Sequence, residues 1–524
     1  MCVRALALQV ALACLVSVAL GEPTAEVTFS PSELSFSKYV HEQDTFDVPS
    51  VVSAPGCVES LGAPGLPYRL VHILIPLDRH CVGVTFTGSD SAQLEGEYSI
   101  LPAQHPHMCD SSQPFVNPDS TIYGSYDPFP ASPVQVCYEA HQFGYRTVTL
   151  KVFPLRYRPA SGTLYYYTRI SLMLQLEPCN PTALPLHGRN ALTQKCISDF
   201  VAATVENPLD VPGYGLGALF KVVPLPSGKR GGVITELPSE EGLRVDYVVI
   251  TSDALAGQFE EFAKAKTDKG VIATVRTVGW IQENYPGCDL QERVRNFIKD
   301  AYSNWGTAWI LLGGDVSVVP ERTAQGLYAY PVPYSMTSDL YYSDLESNWN
   351  QDGDTVIGEP EDMEMQGGVR EYLADVWLGR APVENAGELS IFLQKNQLYA
   401  LTPPTQGDFL SKILLVGGTI RPRDTLEGEG CQDMEALQRQ GWYGTSGLHQ
   451  YELYGPRVDV RGNRFEGDER LNCTALINQM NGVATISSLT RTTPRLTPWE
   501  PGPTTARTLE MTGFSPSSGQ KRSW

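Results

Sequence analysis

Ala308-Trp309-Ile310-Leu311-Leu312-Gly313-Gly314-Asp315 is the stretch on which the fold of the second half turns. It has no charge before Asp315 and no polar alternation, so a strand built from it presents apolar side chains to both faces. Such a strand is buried on both sides, as in a parallel sheet covered by helices. Asp246 to Ile250 has the same character. Between the two, Leu255 to Lys269 has helical spacing and closes at Gly270, and Ile272 to Val278 reads as a strand. Leu290 to Trp305 reads as a helix closed by Gly306. Later strands are expected at Val376–Leu378, Ile413–Val416 and Gln450–Leu453. Later helices are expected at Ala386–Leu401, Gln432–Gln440 and Cys473–Met480. The pattern predicts an α/β domain with a mainly parallel sheet, whose ligand sites lie at the carboxyl ends of strands. Gly313-Gly314-Asp315 and Gly417-Gly418 fall at those ends. Neither a Lys-Ser/Thr pair nor a Gly-x-Gly-x-x-Gly accompanies the first, so a nucleotide is not expected there.

Upstream, Glu22 to about Glu236 is rich in β-branched and aromatic residues punctuated by Pro and Gly. Leu70–Pro76, Thr147–Phe153 and Leu164–Gln175 read as strands, with Arg158 to Gly162 as a hairpin turn before the last. This half is expected to be an all-β sandwich or barrel. Pro224 to Glu241 has the polar, Pro- and Gly-bearing composition of a linker and carries Lys229-Arg230, a candidate processing pair. From Thr490 the chain is dominated by Thr, Pro, Ser, Arg and Gly without periodicity. The expected division is a signal peptide at 1–21, a β-rich domain at 22–236, a linker at 237–245, an α/β domain at 246–490 and a tail at 491–524.

The 524 residues include 25 Tyr and 17 Phe, enough for packed cores, and a net charge of −20 that repels phosphate backbones and so disfavours nucleic acid. Arg4 followed by the apolar run Ala5–Leu20 and Gly21 reads as a secretory signal, implying a secreted or extracellular protein; no later segment is apolar enough to span a membrane. Cys57, Cys81, Cys109, Cys137, Cys179 and Cys196 form an even set, which in a secreted chain favours disulfides. Asn472-Cys473-Thr474 is a candidate glycosylation site.

Several ordered motifs resemble the gingipain family, the C25 cysteine peptidases. Gly62 to Pro67 with the strand ending at Pro76, and Gly144 to Pro154 with Tyr157 and Gly162, are similar to the family's propeptide. Ile310 to Asp315 with Pro320 resembles the peptidase's "LLVGD…IP" motif. The most specific likeness is Ser338-Asp339-Leu340-Tyr341-Tyr342-Ser343-Asp344, then Asp352-Gly353-Asp354, then Gly379-Arg380-Ala381-Pro382-Val383. The resemblance implies a caspase-like α/β fold, polypeptide substrates and endopeptidase cleavage by a Cys-His pair.

In the family a helix bearing Asn-Gly leads through a strand into Gly-His-Gly, and the nucleophilic cysteine follows one strand later. Here Ile477–Ile486, with Asn481-Gly482, matches the helix and strand onset. The Gly-His-Gly position falls near Arg491-Thr492-Thr493, and no cysteine follows Cys473. No catalytic residue is therefore assigned. The change of composition across Ala484–Thr490 is what a shifted reading frame or an alternative splice end would give. The expected function is a secreted cysteine-type endopeptidase precursor, inactive as written; the alternative is a non-catalytic homologue acting as a binding or inhibitory module. His449, the one histidine of the second half, lies near Cys431 and Cys473 in sequence, but none of the three occupies a motif position. Cys288 precedes a helix, whose N-terminus lowers a thiol pKa, yet with no histidine nearby an inert thiol or a disulfide is expected.

Asp339, Asp344, Asp352 and Asp354, with Asn348, Asn350 and Gly353, supply hard oxygen ligands on a loop and are candidates for Ca²⁺, which the resemblance also implies. The full spacing of an EF-hand is not expected among them.

Overall fold

The computed structural model describes residues 23–58, 60–104, 114–180, 184, 186–187, 189, 191–214, 220–221, 234–240, 242–329, 332–358, 373–401, 412–417, 449–454, 469–470 and 486–489. The signal segment, Lys229-Arg230, Asn472, Cys109, Cys431, Cys473 and Arg491–Thr493 lie outside these residues. The chain divides into two compact units, one holding residues 112–389 and nearly all that precede them, the other chiefly residues 390–524.

In the first unit the β-rich half forms antiparallel sheets. Strands β1 (Thr24–Thr28), β5 (Arg79–Gln93), β8 (Leu155–Arg158) and β9 (Thr163–Pro178) make one, with β9 central. Strands β4 (Pro67–Leu74), β6 (Val134–Gln142) and β7 (Tyr145–Val152) make most of another, with Gly56–Cys57 at its edge, and β2 (Leu34–His41) pairs with β3 (Asp44–Val51). Alternate residues of β9, namely Ile170, Leu172 and Leu174, point inward, as the two-residue period of a strand requires. They share one core with Val71 and Ile73 of β4 and Val148 and Leu150 of β7. The turn before β9 is a hairpin as expected, with Gly162 at φ 62° where a side chain would be strained. Tyr166 and Tyr167 are buried, so strand packing accounts for that aromatic run.

The α/β half of this unit is a fully parallel sheet in the order β11-β10-β12-β13: β10 is Tyr247–Thr251, β11 Ala273–Thr277, β12 Trp309–Gly313 and β13 Trp377–Ala381. Val248, Val249, Ile250, Ile310 and Leu312 are buried on both faces, as the uninterrupted apolar runs predict. Four helices belong to this layer: α1 (Ala191–Thr204), α2 (Asp253–Asp268), α3 (Val278–Asn284) and α4 (Leu290–Asp300). On α2, Leu255, Phe259 and Ala263 make a stripe at four-residue spacing. Asp289 caps α4, accepting from the Glu292 amide at 2.8 Å. The helix then widens through a π-turn at Ala301–Trp305 and stops at Gly306, φ 74°. The predicted helix Leu290–Trp305 thus has the right extent but not one uniform winding.

The second unit holds a separate parallel sheet: β14 (Lys412–Gly417) lies between β15 (His449–Tyr454) and β16 (Ile486–Leu489), with Glu469–Arg470 beside β15. No described helix is long and apolar enough to cross a membrane.

Candidate functional site

The parallel register brings Thr251, Gly313 and Ala381 together at the carboxyl edge of the first sheet. The Thr251 hydroxyl donates to the Gly313 carbonyl. A Cβ on Gly313 would lie 2.7 Å from the Phe259 ring, so the motif glycine is required by close approach of α2 to β12. After the turn, Asp315 Oδ1 accepts from the Ser317 amide at 2.8 Å and its hydroxyl at 2.7 Å, and the Asp315 amide donates to the Val383 carbonyl at 3.1 Å. The Ser317 hydroxyl holds the Asp315 carboxyl below its usual range, whereas a shared hydrogen bond with Asp315 pushes the exposed Glu384 carboxyl up. This rim is acidic and so disfavours anions.

Arg380, from the Gly-Arg-Ala-Pro motif, organises the same edge. Its Nε and Nη2 donate to the two carboxylate oxygens of Asp339 at 2.7 and 2.6 Å, and its Nη1 donates to the Gly314 and Val319 carbonyls at 2.9 and 2.6 Å. Asp339 is therefore committed to a bidentate ion pair. Behind it the Tyr341 ring lies between two guanidinium groups, 4.3 Å from Arg322 and 4.9 Å from Arg295. Arg322 is fixed by Asp289 at 2.7 and 2.9 Å. Burial pushes the Asp289 carboxyl up, but the Arg322 hydrogen bond and charge and the Glu292 and Gln291 amides together outweigh it, and the net shift is down.

Asp344 is 1% exposed. Burial pushes its carboxyl up, against the hydrogen bond from Ser347 and the charge of Arg295. Arg295 also donates to the Asp344 carbonyl at 3.1 and 2.6 Å and to the Ser347 carbonyl at 2.8 Å. Nearby Lys299 is lowered to about 8, first by burial and then by the charge of Arg295. Asp344 thus belongs to a buried charge network.

Asp352 and Asp354 lie apart from both, in an exposed turn. Asp352 Oδ1 accepts from the Asp354 amide at 3.1 Å and Asp354 Oδ1 from the Val356 amide at 2.6 Å. Asn348 Oδ1 accepts from the Asn350 amide at 3.2 Å, and the Trp349 carbonyl closes the loop on the Gly358 amide at 2.9 Å. Among the described residues no three of His, Cys, Asp and Glu are grouped to hold a metal ion. The loop has another donor set. Asn348, Asn350, Asp352, Gly353 and Asp354 stand at positions 1, 3, 5, 6 and 7 of a calcium loop, and in sequence Glu359 stands at position 12. The expectation that EF-hand spacing is lacking is corrected on this count; an asparagine at position 1 hid it. Gly353 has the left-handed backbone that position 6 needs, φ 75°. Asn350 Oδ1 is a buried oxygen that accepts no hydrogen bond, as a ligand oxygen would.

The thiols take modest roles. Cys81, Cys179, Cys196 and Cys288 are free, so the expected disulfides are not formed by these residues. Cys81 opposes Leu176 on β9 while Cys179 lies three residues further on, too far along the strand for a bridge. Cys288 is exposed, and its hydrogen bond with Glu292 raises the thiol pKa instead of the helix terminus lowering it. His449 opens β15, opposite Lys412, at the amino edge of its sheet; Gly417, at the carboxyl edge of that sheet, opposes Tyr454.

The chain matches the family model of peptidase family C25 over residues 240–484 and the C25 propeptide model over residues 13–201. Similar solved structures include a complex of Porphyromonas gingivalis RgpB pro- and mature domains, 16% identical, covering 36% of this chain and 91% of that one with a TM-score of 0.30. A structure concerning zymogenic latency of gingipain K from Porphyromonas gingivalis is 20% identical and covers 29% and 86%, with a TM-score of 0.25. The Arg specific cysteine proteinase gingipain R is 17% identical, covers 46% of each chain and has a TM-score of 0.30. No curated protein matches the chain. The two family matches, in order and over most of its length, show that the chain belongs to the gingipain family of C25 peptidases, with a propeptide region ahead of a peptidase region.

Proposed function

We propose that this chain is the precursor form of a secreted cysteine-type endopeptidase whose 524 residues carry the supporting edge of the site without its nucleophile and base. In the family reaction a thiolate attacks the substrate carbonyl, the imidazole that took the thiol proton delivers it to the leaving amine, and water releases the acyl group from sulfur. The observation that carries the reading is the ordered match to the C25 propeptide and peptidase models, together with a described carboxyl edge, at Thr251, Gly313 and Ala381, that holds neither histidine nor cysteine. A caspase-like arrangement is part of the proposal, supported by parallel strands whose carboxyl ends, Thr251, Gly313 and Ala381, meet at one edge. The 524-residue protein, with reductant and calcium, is expected not to cleave casein; thiol-dependent cleavage overturns the proposal. Binding of the same protein to a polypeptide without turnover supports the alternative, a non-catalytic binding or inhibitory module. Secretion rests on the apolar segment Ala5–Leu20, and an exported protein whose first residue is not near Glu22 removes it.

The loop from Asn348 is proposed to hold Ca²⁺ through Asn348, Asn350, Asp352 and the Asp354 carbonyl. The ion would stiffen the loop between Asn348 and Gly358 and takes no part in bond cleavage. Chelation with EGTA is expected to lower the melting temperature, and Asp352→Ala to abolish that sensitivity. A melting temperature indifferent to EGTA removes calcium from this loop.

A further inference from the structure

The β-rich half holds a cleft of about 690 Å³, within the range of small-ligand pockets. Its floor is built from backbone. The Asp47 amide donates to the Ser99 carbonyl at 2.5 Å, the Leu101 amide to the Asp47 carbonyl at 2.9 Å and the Tyr98 amide to the Gly162 carbonyl at 2.9 Å. A Cβ on Gly162 would lie 3.2 Å from the Tyr98 carbonyl, so this glycine keeps the floor close-packed. The Ala160 amide donates to the Ser125 carbonyl at 3.1 Å, which ties the loop bearing Tyr126 to the hairpin turn before β9.

The side chains around that floor combine fixed polar groups with aromatic rings. Lys38 of β2 and Asp47 of β3 are cross-strand partners. Lys38 Nζ donates to Asp47 Oδ1 at 2.6 Å, and the Ser99 amide donates to Asp47 Oδ2 at 3.0 Å. Asp47 is 5% exposed and lines the cleft. Each of its carboxylate oxygens keeps a lone pair that can accept a hydroxyl, and an ammonium with one hydrogen bond made keeps two N–H groups to donate. Thr45 adds a hydroxyl and Glu97 an exposed carboxylate. Tyr98 and Tyr126 bring rings, and Tyr126 is 75% exposed.

These features select among ligand chemistries. An apolar ligand would cover Lys38 and Asp47 and leave their remaining hydrogen bonds unmade, which is costly. Lys38 and Asp47 cancel in charge, so Glu97 leaves the cleft negative, and phosphate or sulfate groups are repelled. A polypeptide added as a strand needs free backbone groups, and those of Asp47 and Gly162 are already taken. What the cleft offers is side-chain donors and acceptors beside an exposed ring. A neutral sugar presents the complement: hydroxyls around its edge and C–H groups on its face. We propose that this cleft binds a neutral saccharide, with its hydroxyls on Asp47 and Lys38 and its C–H face on Tyr126. The proposal concerns the β-rich half alone and stands whether or not the chain cleaves polypeptides.

Saturation-transfer NMR on the full chain with maltotriose, cellotriose, mannotriose, triacetylchitotriose and lactose tests it. At least one of these sugars is expected to bind with a Kd of about 1 mM or tighter. Tyr126→Ala is expected to weaken that sugar about tenfold and to leave the melting temperature unchanged, because the ring is exposed. Asp47→Asn, which keeps the shape and drops the charge, is expected to weaken the same sugar as well. Absence of transfer to every sugar at about 10 mM overturns the proposal, as does an affinity that Tyr126→Ala leaves unaltered. Transfer to casein peptides or heparin but to no sugar overturns it in favour of a peptide or an anionic chain.

Discussion

Asp339 carries a charge whose partner lies 41 residues away, and that partner is a side chain. Its removal leaves Arg380 with two carbonyls and without its paired carboxylate in a site where that side chain is 13% exposed. Asp339→Ala is expected to cost about 2 kcal/mol in urea unfolding, below the value for a fully buried pair because Asp339 is partly exposed; a loss under about 0.5 kcal/mol removes the pair from the stability account. Lys299 makes a pH-dependent contribution. Its folded pKa, about 8, is below the unfolded value, so between about 8 and 10 the unfolded chain binds more protons and stability rises with pH. Relative to Lys299→Met, the wild type should gain about 1 kcal/mol across that window after allowance for solvent screening. A difference that stays flat with pH contradicts the shift. These two residues show what sequence hides: a carboxylate beside other acids looks the same whether its charge is met by a metal or by a distant arginine. Arg380 was visible inside its motif, but its partners were not, because ion pairs form across the fold and leave no spacing behind.

At the scale of elements, what is legible is what has a period. β10 and β12 were readable because an apolar run bounded by turn residues has few other uses, and α2 because Leu255, Phe259 and Ala263 recur at four. The helix α1 was not seen. Its buried face is only Thr193, Ile197 and Val201, with Leu192 and Phe200 left exposed, so its stripe is weak and a surrounding β pattern masks it. The junction of α2 with β12 gives a sharp test. Gly313→Ala places a methyl 2.7 Å from the Phe259 ring and 3.1 Å from Val249. The expected cost is about 1–3 kcal/mol by overpacking, and Phe259→Leu in the same chain should recover part of it. Full stability of Gly313→Ala on its own would show that α2 does not approach β12 so closely.

Across the whole molecule, composition marked the passage from β-rich to α/β, but it cannot report a core that both halves fill. Long-range burial is a property of the folded chain, and the side chains that cross a boundary look like any other apolar residues. Cysteine number is silent for the same reason: an even set says nothing of whether strand register brings two sulfurs within bridging distance, and it does not do so for Cys81 and Cys179. At that same scale, among the described residues no imidazole stands beside a thiol at a parallel strand's carboxyl edge. The most direct test is the rate at which each cysteine of the native protein reacts with iodoacetamide between pH 5 and 8, followed by mass spectrometry. Every thiol is predicted to react slowly, at a rate that rises with pH as for an ordinary thiol. One cysteine that is alkylated far faster than the rest, and keeps that rate near pH 5, would contradict the account.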